Sequence, residues 1–494
     1  MFKHFTCTYL SEEDIHTLAS SFDTATRKTV LTAYYKAVAC LKQKDIPVPS
    51  QPKSVLLEDA TSGKASIFAL FGGQGTNEVY FDELQNLYDI YEPFVAPFVE
   101  TLTSDILVPL TNEEEDTTFY TYGLDVASWL SGATKRPDIA YFASIPISFP
   151  LIGLTQLVQY LVACHVLNLT PGELRRNLAG ATGHSQGIVS AVAVASSSTF
   201  EELTENTRKA LKWLFYSGLR GQQAFPVTAL EPSIVQDSLE GGEGTPTPML
   251  SVTGLSLKEL ESHVVGTNEH LPNGSRLQVS LHNGPKAFVV TGPPKSLFGL
   301  VTSLRKVKAS SGLDQSKVPF SQRKPVFSTR FLVVEVPYHS DYIADATEKV
   351  VEEDLESEEM WNPEDLKIPV YNTEDGNFFP VALLLHKFDM FSGSDMRDLE
   401  SSFTHSLCEQ IFTLPIHWAK ATNFAESATH AIDFGPGGLS GIGPLTARNF
   451  DGRGIRVIVV GDKGKGDAEL YSSIEVNYEE WWSKRWSPNL IRTR

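Results

Sequence analysis

The pentapeptide Gly-His-Ser-Gln-Gly at 183–187 constrains the fold of this 494-residue chain more than any other feature of the sequence. A strand-like stretch precedes it, and a run of small apolar residues follows it at 188–195. Glycines at both ends permit a sharp turn without a Cβ clash, and small residues let the following helix lie close to a sheet. The pattern predicts strand, tight turn and helix, so we expect an α/β core with parallel strands.

Alternating strands and helices recur on both sides of this turn, and one segment departs from that order. Strands are predicted at 66–71, 331–336, 431–434 and 455–460, and a long apolar helix at 146–168. The segment 249–307 instead has the order strand, helix, strand, strand, helix, which is typical of a ferredoxin-like unit. We therefore expect a parallel-sheet core that carries a small ferredoxin-like subdomain as an insertion.

The predicted domain boundaries follow this change of pattern. The regions are an N-terminal helical region with a linker (1–64), a first core part (65–245), the ferredoxin-like insert (246–308), a second core part (309–470) and a C-terminal tail or linker (471–494). The two core parts are expected to form one body, with the insert between them.

Charge and cysteine content limit the class of partner. The formal net charge of −19 argues against a nucleic-acid backbone, because an acidic surface repels phosphates. The four cysteines are scattered without CxxC spacing, which indicates reduced thiols rather than a disulfide framework or a metal site. We see no run of about 18 apolar residues and no secretory h-region, so we expect a cytoplasmic protein without a membrane span.

The serine in the middle of the pentapeptide is the candidate nucleophile. A G-x-S-x-G turn exposes the Ser185 hydroxyl above the sheet, and the N-terminus of the next helix supplies N–H groups for a developing oxyanion. A serine needs a base to be nucleophilic at neutral pH. His339 is the best candidate, because it follows a predicted strand and Pro337 restricts the backbone beside it. His184 is assigned a supporting role, since adjacent side chains at a tight turn point apart.

An oxyanion requires two hydrogen-bond donors. The backbone N–H of Gln186, directly after the serine, is one candidate, and the glycine-rich turn Gly73-Gln74-Gly75 is the candidate for the second. A phosphate-binding loop is the alternative interpretation of this turn. The turn lacks the Lys-Ser/Thr of a Walker motif and the spacing of GxGxxG, so both nucleotide interpretations are poor.

Several motifs, taken together and in this order, resemble a known family. Phe71-Gly-Gly-Gln-Gly75, the pentapeptide, Asn283-Gly-Pro285, Pro337-Tyr-His-Ser340 and Asp433-Phe-Gly-Pro-Gly-Gly438 are similar to motifs of the malonyl/acetyl transferase fold, whose core is α/β-hydrolase-like. The stretches 243–249, 311–315 and 319–320 resemble more narrowly the acetyltransferase domain of the fungal type I fatty acid synthase beta subunit. That domain is related to the starter-unit:ACP transacylase domains of fungal polyketide synthases. The resemblance covers roughly residues 65–490.

The resemblance implies catalytic roles, residue by residue. Ser185 would be the acylated nucleophile and His339 its general base. The backbone N–H groups of Gln74 and Gln186 would form the oxyanion hole. A backbone carbonyl rather than a carboxylate usually orients the histidine in this family, and the resemblance places it at Gln410.

The resemblance also implies which residues bind the substrate: His184, Ser217, Arg220 and Asn283. Malonyl transferases place an arginine on the helix after the nucleophile, where it pairs with the free carboxylate of the substrate. Here that position falls near Ser217, and Arg220 lies three residues further on. A buried carboxylate without a cation is costly, so we predict an uncharged acyl group, acetyl before others.

The function that the resemblance implies is an acyl-CoA:acyl-carrier-protein transacylase with a ping-pong mechanism. The acyl group would pass from coenzyme A to Ser185 and then to the phosphopantetheine thiol of a carrier protein, with no tightly bound cofactor and no metal. A serine thioesterase or hydrolase is the first alternative, because Asp314 lies between Ser185 and His339 in the order typical of hydrolases. A non-catalytic assembly unit and a synthase that makes a starter for a secondary metabolite are the others.

Overall fold

The computed structural model describes most of the chain. The described residues are 2–10, 13–48, 53–75, 79–310, 312, 314–356, 358, 360–379, 396–438, 441–461 and 465–474. Residues 475–494, and with them most of the predicted C-terminal tail, lie outside the described residues, as do 311 and 313 of the motif at 311–315.

The strands of the described chain form two five-stranded sheets. They are β1 (Ile67–Phe71), β2 (Leu178–Gly183), β3 (Met249–Thr253), β4 (Gln278–Gly284), β5 (Ala287–Thr291), β6 (Ser328–Phe331), β7 (Val370–Tyr371), β8 (Ile416–His417), β9 (His430–Asp433) and β10 (Arg456–Val459). The first sheet has the order β10-β9-β1-β2-β7, and its neighbours pair in parallel. The second has the order β6-β3-β5-β4-β8 and is antiparallel except for the pair β4–β8.

Helices cover both sheets and form the N-terminal region. They are α1 (Phe2–Tyr9), α2 (Ile15–Ser20), α3 (Thr24–Gln43), α4 (Val55–Thr61), α5 (Tyr80–Leu102), α6 (Val108–Glu113), α7 (Val126–Ser131), α8 (Ile139–Ala143), α9 (Ile145–Leu167), α10 (Pro171–Arg175), α11 (Gly187–Ala195), α12 (Phe200–Ala224), α13 (Pro232–Gly241), α14 (Leu257–Asn268), α15 (Pro294–Val307), α16 (Asp345–Glu348), α17 (Met396–Phe412), α18 (Trp418–Ala421), α19 (Ile442–Asn449) and α20 (Lys465–Tyr471). The predicted α/β architecture is confirmed.

Helix α9 is the central helix of the core, and it packs against α5, α11 and α12. Two segments, Tyr80–Glu113 and α9, are long and apolar enough to cross a membrane by length and composition alone. The apolar window of α9 is 100% buried inside the protein. A helix that is apolar all round and buried all round is what the core of a large domain requires.

Strands β1 and β2 bring two of the predicted turns together. They pair in parallel, with Phe71 opposite Gly183 at their carboxyl ends. All five residues of β1 are buried, as expected for a strand covered on both faces. Because the carboxyl ends of parallel strands meet at one edge, the glycine-rich turn after β1 lies beside the pentapeptide after β2.

The second sheet, with α14 and α15, forms the predicted subdomain. It has an apolar core of its own, which includes Leu250, Val290 and Leu300. Helix α14 begins at a capping box in which Ser256 and Glu259 satisfy each other's backbone N–H groups. The local sequence therefore determines where this helix starts.

The predicted strand at 331–336 is wrong. Strand β6 ends at Phe331, where the prediction began, and it pairs with β3 in the second sheet. Val334 and Val336 are buried against the main core without a strand partner, which accounts for the alternating apolar pattern. The subdomain sheet therefore extends beyond the predicted boundary at 308, and it also takes β8 from the second core part.

Candidate active site

The turn at 183–187 has the strained geometry of a nucleophile elbow. Strand β2 ends at Gly183 and helix α11 begins at Gly187, so the reversal takes three residues. Ser185 has a φ of +52°, a left-handed conformation that is uncommon for residues other than glycine. A Cβ at Gly183 would overlap the backbone of Gly187, so no other residue type fits there.

Ser185 and His339 meet in the structure, although they lie 154 residues apart in the chain. The Ser185 Oγ atom is 2.8 Å from Nε2 of His339. His339 also has a left-handed backbone, with a φ of +61°. The side chains are 8% and 1% exposed, so the hydrogen bond is shielded from water. The distance is within the range that direct proton transfer requires.

A backbone carbonyl orients the imidazole of His339. Nδ1 lies 3.0 Å from the carbonyl oxygen of Leu414, so Nδ1 carries the proton and Nε2 is free to accept one from Ser185. The expectation that Gln410 makes this bond is corrected: the hydrogen bond goes to Leu414, and the Gln410 carbonyl adds a smaller contribution that raises the pKa of His339. After α17 the chain turns back, with Leu414 N–H donating to the Glu409 carbonyl, and this turn directs the Leu414 carbonyl at the ring.

Burial governs the protonation of His339. It lowers the pKa of this imidazole to about 3, against the opposing effect of the Leu414 carbonyl, and the nearby His184 lowers it further. The ring is therefore neutral at physiological pH and able to accept a proton. Its backbone is held from two sides: His339 N–H donates to the Ile411 carbonyl at 3.1 Å, and Gln278 of β4 donates to the His339 carbonyl at 3.0 Å.

His184 connects the two sheets. Its Nε2 lies 2.8 Å from Oδ1 of Asn283, and because an amide oxygen only accepts, this nitrogen carries the proton. Burial lowers the pKa of His184 to about 4, so it too is neutral. The ring packs edge-on against Trp418, with centroids 5.2 Å apart. The structure thus brings His184 and Asn283 together beside Ser185, with their side chains bonded to each other.

The two predicted oxyanion residues lie beside Ser185: Gln186 in the elbow itself, and Gln74 in the turn after β1. Gln186 follows Ser185 directly, and the turn that carries Gln74 approaches so closely that a Cβ at Gly73 would lie 3.0 Å from the Ser185 Cβ. Within the described chain, neither Gln74 N–H nor Gln186 N–H has a hydrogen-bond acceptor. Both donors are therefore available to a ligand.

Ser217 and Arg220 lie on α12 and have different surroundings. Ser217 is fully buried, and among the described residues its Oγ has no hydrogen-bond partner. Arg220 forms a bidentate ion pair with Asp354, with its Nε–Oδ2 and Nη2–Oδ1 distances at 2.9 and 2.6 Å. The charge of Arg220 is therefore already paired, and its assignment to substrate binding stays a prediction. Three residues on a helix turn a side chain about 60° away from the first, which directs Arg220 to Asp354.

Asp314 does not complete a triad with Ser185 and His339. It is exposed, accepts a hydrogen bond from Ser316 N–H at 3.0 Å and lies 3.7 Å from Lys317. The order Ser185, Asp314, His339 in the sequence is that of a hydrolase, but Asp314 is not part of the site in the structure.

The sequence analysis missed three residues that hold the site. Leu414 acts through its carbonyl, so its side chain carries no signal. Ser148 and Phe149 lie in the first turns of α9: Ser148 Oγ donates to the Gln74 side-chain oxygen at 3.2 Å, and the Phe149 carbonyl accepts from the Gln186 side chain at 3.1 Å. A serine within the apolar first turns of α9 is the signal that could have indicated Ser148.

Two family models match the chain. The model described as starter unit:ACP transacylase in aflatoxin biosynthesis matches residues 69–325, slightly more than half of the sequence. The model of the N-terminal domain in fatty acid synthase subunit beta matches residues 1–41. The first match includes the elbow and the subdomain elements from β3 to α15.

Curated relatives agree with both models. The fatty acid synthase subunit beta of Saccharomyces cerevisiae is 43% identical over 463 residues, which are 92% of this chain and 21% of that protein. The subunit of Schizosaccharomyces pombe is 39% identical over 499 residues, 99% of this chain and 22% of that protein. The fatty acid synthase beta subunit aflB of Emericella nidulans is 35% identical over 492 residues, which are 97% of this chain and 22% of that protein. The chain spans about a fifth of the length of these relatives.

Solved structures confirm the predicted malonyl/acetyl transferase fold. A type II polyketide synthase acyl-carrier protein in complex with its malonyl-transacylase matches with a TM-score of 0.52 at 16% identity, over 82% of this chain and 99% of the matched chain. The malonyl-CoA:acyl carrier protein transacylase of Xanthomonas oryzae pv. oryzae matches with a TM-score of 0.53 at 15% identity, over 83% of this chain and 99% of the matched chain. The chain therefore belongs to the starter unit:ACP transacylase family of acyltransferases, with the fungal fatty acid synthase beta subunits among its homologues.

Proposed function

We propose that this chain is an acyl-CoA:acyl-carrier-protein transacylase that loads acetyl, or another short uncharged acyl group, as the starter unit of fungal fatty acid or polyketide synthesis. The observation that carries the proposal is the 2.8 Å hydrogen bond between Ser185 Oγ and His339 Nε2 in a buried site. A hydroxyl bonded to a neutral imidazole is an activated nucleophile.

In the first half-reaction, serine replaces coenzyme A on the acyl group. His339 Nε2 takes the Ser185 proton as Oγ attacks the thioester carbon, and the N–H groups of Gln74 and Gln186 stabilise the oxyanion. When this intermediate collapses, the C–S bond breaks and His339 returns the proton to the departing thiolate. The Leu414 carbonyl supports the transient imidazolium, as a carboxylate does in Ser-His-Asp triads.

In the second half-reaction, the phosphopantetheine thiol of a carrier protein attacks the ester. His339 removes the thiol proton and passes it to the Ser185 oxygen as that oxygen leaves. Water competes with the thiol, so a transferase must exclude it. The low exposure of both side chains, 8% and 1%, supports transfer over hydrolysis.

Charges around the site support an uncharged acyl group. The position of the malonyl-binding arginine falls near Ser217, which is buried and neutral. Arg220, three residues further on, is already paired with Asp354. The free carboxylate of a malonyl group would be buried without a cation, at a cost on the order of several kcal/mol.

We propose acyl-CoA as the donor substrate and carrier-protein phosphopantetheine as the acceptor, without a tightly bound cofactor or a metal. Other domains of a fatty acid or polyketide synthase are proposed as neighbours, because the matched relatives are several times longer than this chain. The cytoplasm is the proposed compartment.

Mass spectrometry of the intact protein tests the proposal. The protein is incubated separately with acetyl-, hexanoyl- and malonyl-coenzyme A, and the acyl adduct on Ser185 is located by peptide mapping. Adducts are expected from the uncharged donors, weak or absent from malonyl-coenzyme A, and absent in Ser185→Ala. Absence of any adduct in the wild-type protein would overturn the proposal.

Partition of the acyl-enzyme separates a transferase from a thioesterase. The acylated protein is mixed with a carrier protein or with free pantetheine, and acyl transfer is compared with release of the free acid. Transfer is expected to exceed hydrolysis by about 100-fold or more, because the site excludes water. Hydrolysis that is faster than transfer would favour the thioesterase.

A further inference from the structure

The side chains of Gln74 and Gln186 are hydrogen-bonded to each other across the site. Gln74 lies in the turn after β1, and Gln186 follows the nucleophile after β2. The Gln74 Nε2 atom donates to the Gln186 Oε1 atom at 2.6 Å. These are the same two residues whose backbone N–H groups have no acceptor within the described chain.

The outer ends of this amide pair are attached to consecutive residues of α9. Ser148 Oγ donates to Gln74 Oε1 at 3.2 Å, and Gln186 Nε2 donates to the Phe149 carbonyl at 3.1 Å. The hydrogen bonds therefore form one chain, from α9 through both glutamines and back to α9. Ser148 and Gln186 are fully buried, where low dielectric strengthens such bonds.

The hydrogen-bond pattern allows only one orientation of each amide. The Phe149 carbonyl is purely an acceptor, so the NH₂ group of Gln186 must face it and the Gln186 oxygen must face Gln74. The Gln74 NH₂ group then faces Gln186, which leaves the Gln74 oxygen to accept from Ser148. All three bonds depend on this one arrangement, so removal of one amide breaks its bonds to the groups on either side of it.

The turn that carries Gln74 needs such an attachment. It is glycine-rich, and because glycine has no Cβ its backbone is the least restricted of all residues, so the sequence of the turn does not by itself fix its conformation. An oxyanion hole functions only when its donors are held in place before the reaction. Gln186 is held by the start of α11, whereas the position of Gln74 relative to it depends on contacts outside the turn.

We infer that the side chains of Ser148, Gln74 and Gln186 are positioning groups that fix the separation of the two oxyanion donors. The inference rests on the proposed acyl-serine function. The side chains act through the backbone N–H groups and do not touch the acyl group. Their loss should weaken binding of the tetrahedral intermediate and leave binding of the planar thioester unchanged.

Three substitutions test this: Gln74→Met, Gln186→Met and Ser148→Ala. The methionines keep approximate length and remove both hydrogen-bonding groups. Ser148→Ala removes the hydroxyl that donates to Gln74 and, at 3.5 Å, to the Ile145 carbonyl, with the smallest change in packing. Gln159→Met is the matched control, since Gln159 is also a buried glutamine of α9 and its contacts do not include the elbow. Circular dichroism and a thermal melt establish that each variant is folded.

Two measurements separate positioning from a merely structural role. The single-turnover rate of Ser185 acylation by acetyl-coenzyme A is expected to fall about 10- to 100-fold in the methionine variants, with an unchanged KM, because a single misplaced oxyanion donor has effects of this order. Affinity for a trifluoromethyl ketone analogue of acetyl-coenzyme A, which adds to the serine as a tetrahedral oxyanion, should fall by the same factor. The Gln74→Met/Gln186→Met double variant should be no slower than either single variant, because the pair acts as a unit.

The outcomes are distinct. Wild-type rates and wild-type analogue affinity in folded variants would overturn the inference, and so would a rise in KM without loss of rate. If the methionine variants do not fold, Ser148→Ala decides, with an expected loss of about 3- to 10-fold in both quantities. A wild-type protein that forms no acyl adduct would instead refute the proposed function itself.

Discussion

The parallel sheet and the antiparallel sheet contribute to the site in different ways. The turns after β1 and β2 hold Ser185 and the two glutamines with available N–H groups. The antiparallel sheet contributes through β4, where Gln278 contacts the His339 carbonyl and Asn283 contacts His184. The first sheet holds reacting atoms, and the second holds the residues beside them.

The difference follows from how each sheet is built. Parallel strands covered on both faces place successive turns side by side at about 4.8 Å, so turn residues are in contact by construction. The subdomain reaches the core through strand β4, which pairs with β8 and carries Gln278 and Asn283, and through the chain that returns to His339. Changes in the core turns should therefore affect the reaction most, and changes in the subdomain less.

The largest effect is expected from removal of the base. His339→Ala should slow acylation of Ser185 by about 10³-fold or more, in line with the upper range for general bases. The rate is measured by mass spectrometry of quenched single-turnover reactions. His263→Ala, which changes a half-exposed histidine of α14 in the subdomain, should acylate at the wild-type rate. Rapid acylation by His339→Ala would show that another residue is the base, and would contradict the expected difference between the core and the subdomain.

Burial in the core should also make stability depend on pH. Burial raises the pKa of Glu83 of α5 from 4.5 to about 7, and its carboxylate accepts a hydrogen bond from Gly437 N–H at 3.0 Å. Because the folded-state pKa is the higher one, the stabilisation is complete below the unfolded value and is lost as pH rises through about 7. The loss attributable to Glu83 is roughly 3 kcal/mol.

Urea unfolding at acidic and alkaline pH measures this effect. Glu83→Gln should remove a large part of the decline, and a residual decline should remain because burial also raises the pKa of Asp433 to about 7. Glu269→Gln, an exposed position on the subdomain, is the matched control and should leave the wild-type decline intact. If the free energy of unfolding falls equally with rising pH in the wild type and in Glu83→Gln, burial of Glu83 does not make stability depend on pH.

Substitution of Arg220 separates an effect on stability from an effect on the acylation rate. Arg220→Gln should lower the free energy of unfolding by about 2 kcal/mol, because it leaves the Asp354 carboxylate largely buried and unpaired. Acylation by acetyl-coenzyme A should stay within about threefold of wild type, since the guanidinium does not enter the site. Arg208→Gln, which breaks a more exposed ion pair with Asp105, should cost only about 0.5 kcal/mol. A large loss of acylation in Arg220→Gln would restore it as a substrate-binding residue.

A smaller loss of acylation than that of His339→Ala is expected from the subdomain. Asn283→Ala leaves the buried His184 without its partner and should slow acylation about 10-fold, the equivalent of one lost buried hydrogen bond. Asn273→Ala, in an exposed turn of the same subdomain, is the control and should have no effect on the rate. If Asn283→Ala slowed acylation as much as His339→Ala does, the two sheets would not differ in their contribution to the reaction.

Local sequence patterns were enough to predict much of this site. The glycines around Ser185 predicted the elbow, because no other residue type fits at Gly183. Small and apolar residues predicted β2, α11 and α9, since their periodicity and size reflect burial. The motif around His339 indicated the imidazole that lies 2.8 Å from Ser185 Oγ, without any information on that distance.

The missed and mistaken assignments share a physical cause. Leu414 acts through a carbonyl that every residue possesses, so no side-chain pattern could single it out. The ion pair of Arg220 was not foreseen, because its partner Asp354 lies 134 residues away in the chain. The segment 331–336 has the alternation of a strand, and whether such a segment pairs depends on neighbours that the pattern does not contain.

The sequence by itself determined most of the elements, the strained turn and the candidates for nucleophile and base, because these depend on residue size, backbone freedom and local periodicity. Only the tertiary structure decided that Ser185 Oγ and His339 Nε2 are 2.8 Å apart and that the Leu414 carbonyl orients the imidazole. It also decided that two glutamine side chains join the turn after β1 to the turn that carries the serine. Those distances are set by the register of β1 on β2 and by the packing of α9 and α17. Register and packing sum contributions from the whole chain, so no short motif specifies them.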